Sequence, residues 1–298
     1  MKKLSLILFI SALGLLAEAQ TDTAYIYTYG ALQNEVCNQI RPTWDGGYIL
    51  IGTTNSFGCG NTDFYAVKLD SLCHKQWSEA LGGPVNEGGY SVTATLDKGF
   101  VFVGYTDSYG NGGYDALLIK TDSLGKILWK RTYGGSDWDF GYSVSQLADS
   151  GFIICGQTYS YGAGGGDVFI VRTDKTGDTL WTRAVGGPGY DVGNFVAVHK
   201  DSIYAITGLT TSYGIGDTSI YLIMMDDKGI LLKDTTFGCT HTTVGNSIRT
   251  TKDNGYIIFG YTDSITPGKP DETLLKLDST GKQQWLQVYH VAGIAIRI

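Results

Sequence analysis

Several residue types and patterns are scarce in this chain of 298 residues. Proline occurs 5 times, only 17% of the residues are charged, and the 42 glycines show no G-X-Y period. These features exclude collagen and proline-rich disorder, and no helical 3.6-residue hydrophobic pattern of useful length is present. With 43% hydrophobic and 12% aromatic residues, the chain can bury a sizeable core, which excludes a disordered protein.

Signatures of common enzymes and metal sites are also missing. The chain contains no CxxC pair, no G-x-S-x-G, no H-E-x-x-H and no phosphate-binding glycine loop. The 4 histidines are dispersed along the chain, which argues against a histidine metal cluster. The net charge of -7 argues against nucleic acid or an anionic membrane surface as the main partner. The 5 cysteines are an odd number, so their pairing stays open.

Residues 1–19 have the organisation of a secretory signal peptide. Lys2 and Lys3 precede an apolar stretch from Leu4 to Leu16, and a small-x-small cleavage site follows at residues 17–19. The stretch is short for a membrane span, and no second run of about 18 apolar residues follows it. We therefore predict a mature chain that begins at Gln20, has no integral membrane segment and is secreted, periplasmic or displayed at the cell surface.

A period of 52 residues runs through the rest of the chain, predicted as a single domain over residues 20–298. Glycine, aspartate and tryptophan recur at this step without insertions, and the repeat units span about 31–82, 83–134, 135–186, 187–238 and 239–290. The recurring residues are Gly52, Gly104, Gly156, Gly208 and Gly260; Asp70, Asp122, Asp174, Asp226 and Asp278; and Trp77, Trp129, Trp181 and Trp285, with Lys233 at the remaining tryptophan position.

Each unit contains four short apolar runs separated by turn residues. In the second unit we predict strands over residues 90–95, 100–105, 116–121 and 127–132, joined by turns rich in Asp and Gly. Four strands in about 50 residues are typical of a β-propeller blade, whereas a parallel β-helix is the structural alternative. We predict an all-β protein, a β-propeller of five four-stranded blades or of five plus a partial sixth, with tryptophans that cover the seams between blades.

The segments that flank the five units resemble parts of a sixth. Tyr25–Gly30 aligns with the outermost strand Trp129–Gly134, and Gly293–Arg297 resembles the innermost strand Gly245–Arg249. Either the reading frame is a truncated part of a longer propeller, or a five-bladed ring carries two extra strands at its seam. We favour truncation, because an unpaired sheet edge promotes aggregation.

The repeat pattern also resembles a known group of proteins. The motif D-x-x-x-[IV]-[KR]-x-D-x-x-G-x-x-x-W, followed by Y-G-G-x-x-x-D-x-G-Y-S-V, is complete from Asp115 to Val144 and resembles the secreted bacterial β-propeller repeat proteins. The resemblance covers about residues 24–290. It implies a secreted or surface-displayed propeller of a kind often associated with type IX secretion, and it is specific to the fold more than to an activity.

Two sets of repeated side chains are predicted to meet on one face, where loops surround the central channel. The first set consists of acids at the start of the innermost strands, and the second of aromatic residues in T-x-S-[YF]-G loops. They are Glu35, Glu87, Asp139 and Asp191, and Phe57, Tyr109, Tyr161 and Tyr213. As ligand-binding residues they would bind a cation or basic group and stack on a sugar or partner protein. Alternatively, the acids cap amides of their own loops and the aromatic rings anchor theirs.

No cofactor is predicted, although four aspartates that close the same loops are weak candidates for calcium. They lack the dense D-x-D-x-D spacing of strong calcium loops, and they are Asp63, Asp115, Asp167 and Asp271. Catalysis needs one asymmetric constellation, and the units differ mainly at Cys73-His74 and in the fourth unit with the start of the fifth, which carry Ser219, Lys233, Cys239 and His241.

We predict an exported binding or interaction module for a carbohydrate or protein at the cell surface, with binding favoured over catalysis. The alternatives are an extracytoplasmic hydrolase or lyase that uses acids at the channel mouth, and a truncated structural fragment of a longer surface protein.

Overall fold

Twenty strands form five antiparallel four-stranded sheets in a computed structural model that describes residues 6–7, 26–200, 202–263 and 270–289. The first sheet contains β3 (Glu35–Pro42), β4 (Tyr48–Thr54), β5 (Asp63–Leu69) and β6 (Lys75–Leu81). The second contains β7 (Glu87–Ala94), β8 (Phe100–Thr106), β9 (Asp115–Thr121) and β10 (Ile127–Tyr133). The third contains β11 (Asp139–Gln146), β12 (Phe152–Thr158), β13 (Asp167–Thr173) and β14 (Thr179–Val185). The fourth contains β15 (Asp191–His199), β16 (Ile203–Thr210), β17 (Ser219–Asp226) and β18 (Leu231–Phe237). The fifth contains β19 (Thr243–Thr250), β20 (Tyr256–Thr262), β21 (Asp271–Leu277) and β22 (Gln283–Tyr289).

The strands of each sheet follow one another in chain order, so every sheet is a blade of a β-propeller. This confirms the predicted all-β fold of five four-stranded blades, and the antiparallel pairing excludes the parallel β-helix. In the second unit the predicted strands agree with β8, β9 and β10 within one residue at each end. Strand β7 begins three residues earlier than predicted, because Gly88 and Gly89 pair with β8 before a bulge at Gly89/Ser91.

Aspartate and glycine build the turns within each blade. In the turn before β8, the Asp97 carboxylate accepts a hydrogen bond from the Gly99 amide at 3.1 Å. In the turn after β9, Asp122 Oδ1 accepts bonds from the amides of Leu124 and Lys126, both at 2.9 Å, and Gly125 has φ +83°. The Asp-x-x-Gly spacing therefore recurs because each turn needs an internal acceptor and one residue with positive φ.

In each blade, close packing of the backbone requires a glycine at the centre of the second strand. A Cβ atom at Gly156 would lie 1.8 Å from the carbonyl oxygen of Phe140 on the neighbouring innermost strand. The equivalent distances at Gly52, Gly104, Gly208 and Gly260 are 1.7, 1.9, 1.8 and 1.9 Å. No side chain fits at this crossing, which explains why the glycine is unchanged in all five units.

The tryptophans lie on the outermost strands, and Trp77, Trp129 and Trp181 pack across the seams as predicted, whereas Trp285 of the fifth blade is 46% exposed. The Trp77 ring lies 5.8 Å from that of Phe100 in the next blade, and Trp129 lies 5.9 Å from Phe152. Trp77 Nε1 also donates to the Ser123 carbonyl of that blade at 3.2 Å. At the seam without a tryptophan, Lys233 Nζ donates to the Thr280 carbonyl at 2.9 Å and preserves the polar half of this contact.

A buried cation on the third strand of most blades is neutralised by the first turn of the same blade. Lys120 is 5% exposed and bonds Asp97 at 2.9 Å, and Arg172 bonds Asp149 at 2.5 Å. Met224 occupies this position in the fourth blade, where it is also buried. Three of the five third strands, β5, β9 and β13, are therefore buried along their whole length despite carrying a charge.

The segment before the first blade makes the contacts expected of an outermost strand. The Tyr29 hydroxyl donates to the Cys73 carbonyl of the first blade, just as the Tyr133 hydroxyl donates to the Gly177 carbonyl of the third at 2.7 Å. Nearby, β2 (Ile26–Tyr27) pairs with β1 (Leu6–Ile7). Most of the predicted signal peptide and the predicted closing strand in residues 293–297 lie outside the described residues. Across those described residues, no helix is long and apolar enough to cross a membrane.

Candidate functional site

The predicted acids begin the innermost strands β3, β7, β11 and β15, at the end of the propeller that we call the entry face. Glu87, Asp139 and Asp191 are completely buried. Each carboxylate accepts a hydrogen bond from a glycine amide four residues earlier, at 2.7 to 2.8 Å. Their second partners are hydroxyls at the end of the second strand or in the loop that follows it: Thr106, the last residue of β8, for Glu87, Ser160 for Asp139 and Ser212 for Asp191. Every one of these carboxylates thus holds two loops together.

A second carboxyl group faces each of these acids across the inter-blade glycine. A Cβ atom on Gly134 would lie 2.2 Å from Asp115 Oδ1 and 2.6 Å from Asp139 Oδ2. Gly82 lies in the same way between Asp63 and Glu87, and Gly186 between Asp167 and Asp191. Burial, together with the charge of Asp139, raises the pKa of Asp115 to about 6. Burial and the partner carboxylate likewise raise the pKa values of Asp63 and Asp167.

The seam between the fourth and fifth blades carries hydroxyls where the other seams carry carboxylates. Thr243 replaces the acid that begins the innermost strand, and Ser219 replaces the carboxyl group that faces it in the other seams. Thr243 Oγ1 lies 3.2 Å from Thr262 Oγ1. The loops keep the same path, so hydroxyls can hold them as well. No group of three or more His, Cys, Asp or Glu side chains suited to a metal ion occurs in the part of the chain that the structure describes. Binding of a ligand or calcium by the repeated acids stays a prediction.

The aromatic residues of the T-x-S-[YF]-G loops have two roles in the geometry. The hydroxyls of Tyr109, Tyr161 and Tyr213 donate to the carbonyls of the inter-blade glycines Gly82, Gly134 and Gly186, at 3.3, 2.8 and 2.9 Å. Their rings, and that of Phe57, stay between 41% and 48% exposed. Each tyrosine therefore anchors its loop to the preceding seam and still presents part of its ring to solvent. Ligand binding by these rings also stays a prediction.

A denser aromatic cluster on the entry face escaped the sequence analysis. Trp138, Tyr159 and Tyr190 are 51%, 37% and 40% exposed and follow one another at ring separations of 6.3 and 6.4 Å. Below them, Tyr114 and Phe140 continue the cluster into the protein. We call Trp138, Tyr159 and Tyr190 the aromatic patch.

The opposite end of the channel contains a second feature that the sequence analysis missed. A cavity of about 490 Å³, the channel cavity, is lined by the ends of the innermost strands of all five blades. Arg41 of β3 and Arg249 of β19 both lie against the ring of Phe195 on β15, with guanidinium carbons 5.5 and 4.2 Å from its centroid. Arg41 is half-buried and Arg249 is exposed at the cavity. Partial desolvation lowers the pKa values of both arginines, that of Arg41 to about 10 with a further contribution from the Arg249 charge.

Phe195 also interrupts a ladder of hydrogen bonds around the channel. Gln39 accepts from the Val92 amide of the next blade at 2.8 Å, Ser91 from Val144 at 3.4 Å, and Ser143 from Val196 at 3.3 Å. The Phe195 side chain has no oxygen atom, so it cannot accept the corresponding hydrogen bond from the Ile248 amide. The fourth blade has therefore exchanged a repeated structural contact for an aromatic ring between two arginines.

Both missed features show up when equivalent positions of the five units are compared. The position of Trp138 holds Asn34, Asn86, Tyr190 and Thr242, and that of Phe195 holds Gln39, Ser91, Ser143 and Ser247. The position of Arg41 and Arg249 holds Thr93, Ser145 and Ala197. The repeat pattern is defined by the residues that the units share, so it does not reveal residues that differ between units, as these do.

Comparisons with known proteins add the fold but no family. No family model matches the chain. Among curated proteins, the regulatory protein FlaEY of Caulobacter vibrioides is 28% identical over 161 residues, which cover 46% of this chain and 17% of that protein. The chain thus spans about a sixth of the length of this relative, and the likeness does not establish membership of its family.

Solved structures resemble the chain in fold alone. Sqt1 from Chaetomium thermophilum has a TM-score of 0.53 at 14% identity, over 88% of this chain and 61% of that one. The apocarotenoid oxygenase of Synechocystis has a TM-score of 0.52 at 10% identity, over 88% and 64%. Puromycin hydrolase has 0.52 at 12%, over 89% and 40%. These identities are too low to transfer an activity, and the chain covers less than two thirds of each neighbour.

Proposed function

We propose that this β-propeller is an exported module that binds a neutral carbohydrate on its entry face through the aromatic patch. The observation that carries the proposal is the consecutive arrangement of three exposed rings, Trp138, Tyr159 and Tyr190, at separations of 6.3 and 6.4 Å. Exposed aromatic surface is costly in water and is enriched where proteins bind partners and ligands. The patch lies on the entry face, where loops of neighbouring blades meet.

Packing does not account for the patch. Trp138 and Tyr190 occupy the repeat position that is Asn34 in the first unit and Asn86 in the second. Tyr159 occupies the position that is Asn55 in the first unit and Asp107 in the second. Blades with these polar residues form the same four strands, so the fold needs no aromatic side chain there. Only the loops between the second and fourth blades concentrate them, which gives the entry face one distinctive sector.

The polar groups around the patch favour a neutral ligand. Asp137 is exposed beside Trp138, whereas Gln157 is buried and its Oε1 already accepts from the Tyr190 hydroxyl at 3.2 Å. The exposed Asp137 carboxylate can accept hydrogen bonds from sugar hydroxyls, and its charge repels acidic sugars. Rings that stack on sugar faces and acceptors that bind hydroxyls are together the chemistry of a neutral oligosaccharide site.

The decisive experiment is a screen of the mature protein on a glycan array, followed by calorimetric titration of the best neutral oligosaccharide. Trp138→Ala is expected to weaken binding at least tenfold, because it removes the outermost ring of the patch. Trp285→Ala is the matched control, since Trp285 is 46% exposed but lies on the outermost strand β22, and it should leave the affinity unchanged.

Equal loss of affinity in both variants, or an array without a neutral glycan ligand, would overturn the proposal. If the array is empty but a protein partner loses affinity on Trp138→Ala, the patch is a protein-binding surface and the carbohydrate proposal is wrong. Export is tested separately by sequencing the N-terminus of protein recovered outside the cytoplasm, which should begin at Gln20.

A further inference from the structure

We infer that the channel cavity is a binding site for a small oxyanion, held between Arg41 and Arg249. The cavity lies at the end of the innermost strands, opposite the entry face, and has a volume of about 490 Å³. A space of this size accommodates a small-molecule ligand. The inference does not depend on carbohydrate binding, because the two sites lie at opposite ends of the channel and share no residue.

The charge of the cavity is the first argument. Its lining contains two arginines and, among the residues that the structure describes, no acidic side chain. This positive centre occurs in a chain whose net charge is -7. Arg172, the one arginine among the described residues that is buried, has a carboxylate partner in Asp149 at 2.5 Å. At the cavity, Arg41 is half-buried and Arg249 is exposed. Arg41 and Arg249 form no ion pair with a described carboxylate.

The free hydrogen-bonding capacity of the arginines is the second argument. A guanidinium group carries five N–H donors. Arg249 uses one of them, Nη1, for the carbonyl of Ile248 at 2.9 Å, and no described group accepts a side-chain bond from Arg41. Two planar donor groups with unused N–H bonds match the paired oxygens of carboxylate, phosphate or sulfate.

Phe195 holds the pair in place. Its ring contacts both guanidinium groups, at 5.5 and 4.2 Å from the centroid, and cation–π attraction offsets part of their mutual repulsion. The ring also occupies the position where the other blades keep a ladder hydrogen bond. Thr93 and Ser145 on the facing strands are half-buried and add hydroxyls to the lining. Side chains that differ between the blades thus lie together in one cavity, and a site for a single ligand requires such an arrangement.

Without an anion, partial burial and the neighbouring Arg249 charge disfavour the ionised state of Arg41. A bound oxyanion would neutralise the pair and satisfy its donors. The site therefore predicts stabilisation by oxyanions that exceeds the general effect of salt and that depends on both arginines.

The test is thermal unfolding of the mature protein with inorganic phosphate or succinate, compared with sodium chloride at the same ionic strength. At least one of the two anions should raise the Tm of the wild type by several degrees more than chloride. Arg41→Gln and Arg249→Gln should each abolish this difference and weaken calorimetric binding at least tenfold. Arg183→Gln is the matched control, because Arg183 also stacks on an aromatic ring, that of Trp181 at 5.4 Å, but lies on the outermost strand β14.

Preference for phosphate indicates a phosphate-bearing or sulfate-bearing ligand, and preference for succinate indicates a carboxylate ligand; both support the site. The inference is wrong if neither anion stabilises the wild type more than chloride, or if the stabilisation persists in both channel variants. It is also wrong if Arg183→Gln removes the effect to the same extent.

Discussion

The two ends of the central channel differ in how they use the repeat. At the entry face, the same carboxyl pairs, glycines and tyrosines recur at three successive seams, and Glu87, Asp139 and Asp191 accept hydrogen bonds from glycine amides of their own loops. At the channel cavity, Arg41 and Arg249 share a repeat position that holds no arginine in the other three blades, Phe195 has no aromatic equivalent, and the arginines leave donors without acceptors among the described residues. In a repeat protein, recurrence therefore marks what every blade needs, and departures from it mark where a ligand can be recognised.

The largest effect on stability is expected at a repeated glycine that every blade requires. Gly156→Ala places a Cβ atom 1.8 Å from the Phe140 carbonyl oxygen, and the three nearest atoms are all backbone of Phe140 and Gly141, which cannot rotate away as a flexible side chain can. We expect a loss of at least about 3 kcal/mol in the free energy of unfolding, measured by urea denaturation. Gly165→Ala is the control, since its nearest atom would lie at 3.2 Å in an exposed loop; a similar loss there would contradict the argument.

A smaller effect is expected at the buried cation of the second blade. Asp97→Asn leaves Lys120, 5% exposed, without its carboxylate partner at 2.9 Å, and should cost roughly 2 kcal/mol of stability. Lys120→Met copies the fourth blade, where Met224 is buried at this position, and should cost about 1 kcal/mol or less. Denaturation of both variants tests the order; a larger loss for Lys120→Met would show that the cation itself, rather than its neutralisation, stabilises the blade.

The carboxyl pairs of the entry face give a pH dependence of known sign. Because burial and Asp139 raise the pKa of Asp115 to about 6 from 3.8, the folded state favours its protonated form. This contribution to stability is complete below pH 4 and is lost as the pH rises through 6. Asp115→Asn should raise the Tm near pH 7 by a few degrees and flatten its fall between pH 4 and 6.5.

Asp253→Asn provides the opposite sign for the same measurement. The hydrogen bond from Lys276 lowers the pKa of Asp253, so its contribution is present at neutral pH and is lost on acidification. Thermal scans across pH 3 to 8 should therefore move the two variants in opposite directions at neutral pH. A shift of the same sign in both would refute the assignment of the carboxyl pair.

The smallest effect on stability is expected when the fourth blade receives the residue that its neighbours carry at the position of Phe195. Phe195→Ser restores the residue that Ser91, Ser143 and Ser247 represent, and its hydroxyl can accept the ladder bond from Ile248. The lost ring contacts and the gained hydrogen bond nearly cancel, so we expect a change within about 1 kcal/mol. The response of the Tm to phosphate or succinate should nevertheless fall, because the two arginines lose the ring that positions them. An unchanged response would show that Phe195 has no part in the site.

Much of the architecture followed from the sequence because each signal was local and repeated five times. The turn residues Asp122 and Gly125 bounded the third and fourth strands correctly, since their roles are confined to five residues. The start of β7 was placed too late, because Gly88 and Gly89 are weak strand formers that pair only through the neighbouring strand. The acids were placed at the correct end of the channel, but their burial depends on loops from two blades and could not be deduced from spacing.

The sequence by itself determined the all-β class, the four strands of each blade, the positions of the seam tryptophans and the face on which the acids lie. These features depend on hydrophobic pattern, turn chemistry and a constant repeat length, all of which act within one unit. Only the tertiary structure brought Arg41, Phe195 and Arg249 together, because they come from the first, fourth and fifth blades and meet solely where the innermost strands converge. It likewise joined Trp138, Tyr159 and Tyr190 into one surface, since inter-blade distances are set by packing across the seams and not by any local pattern.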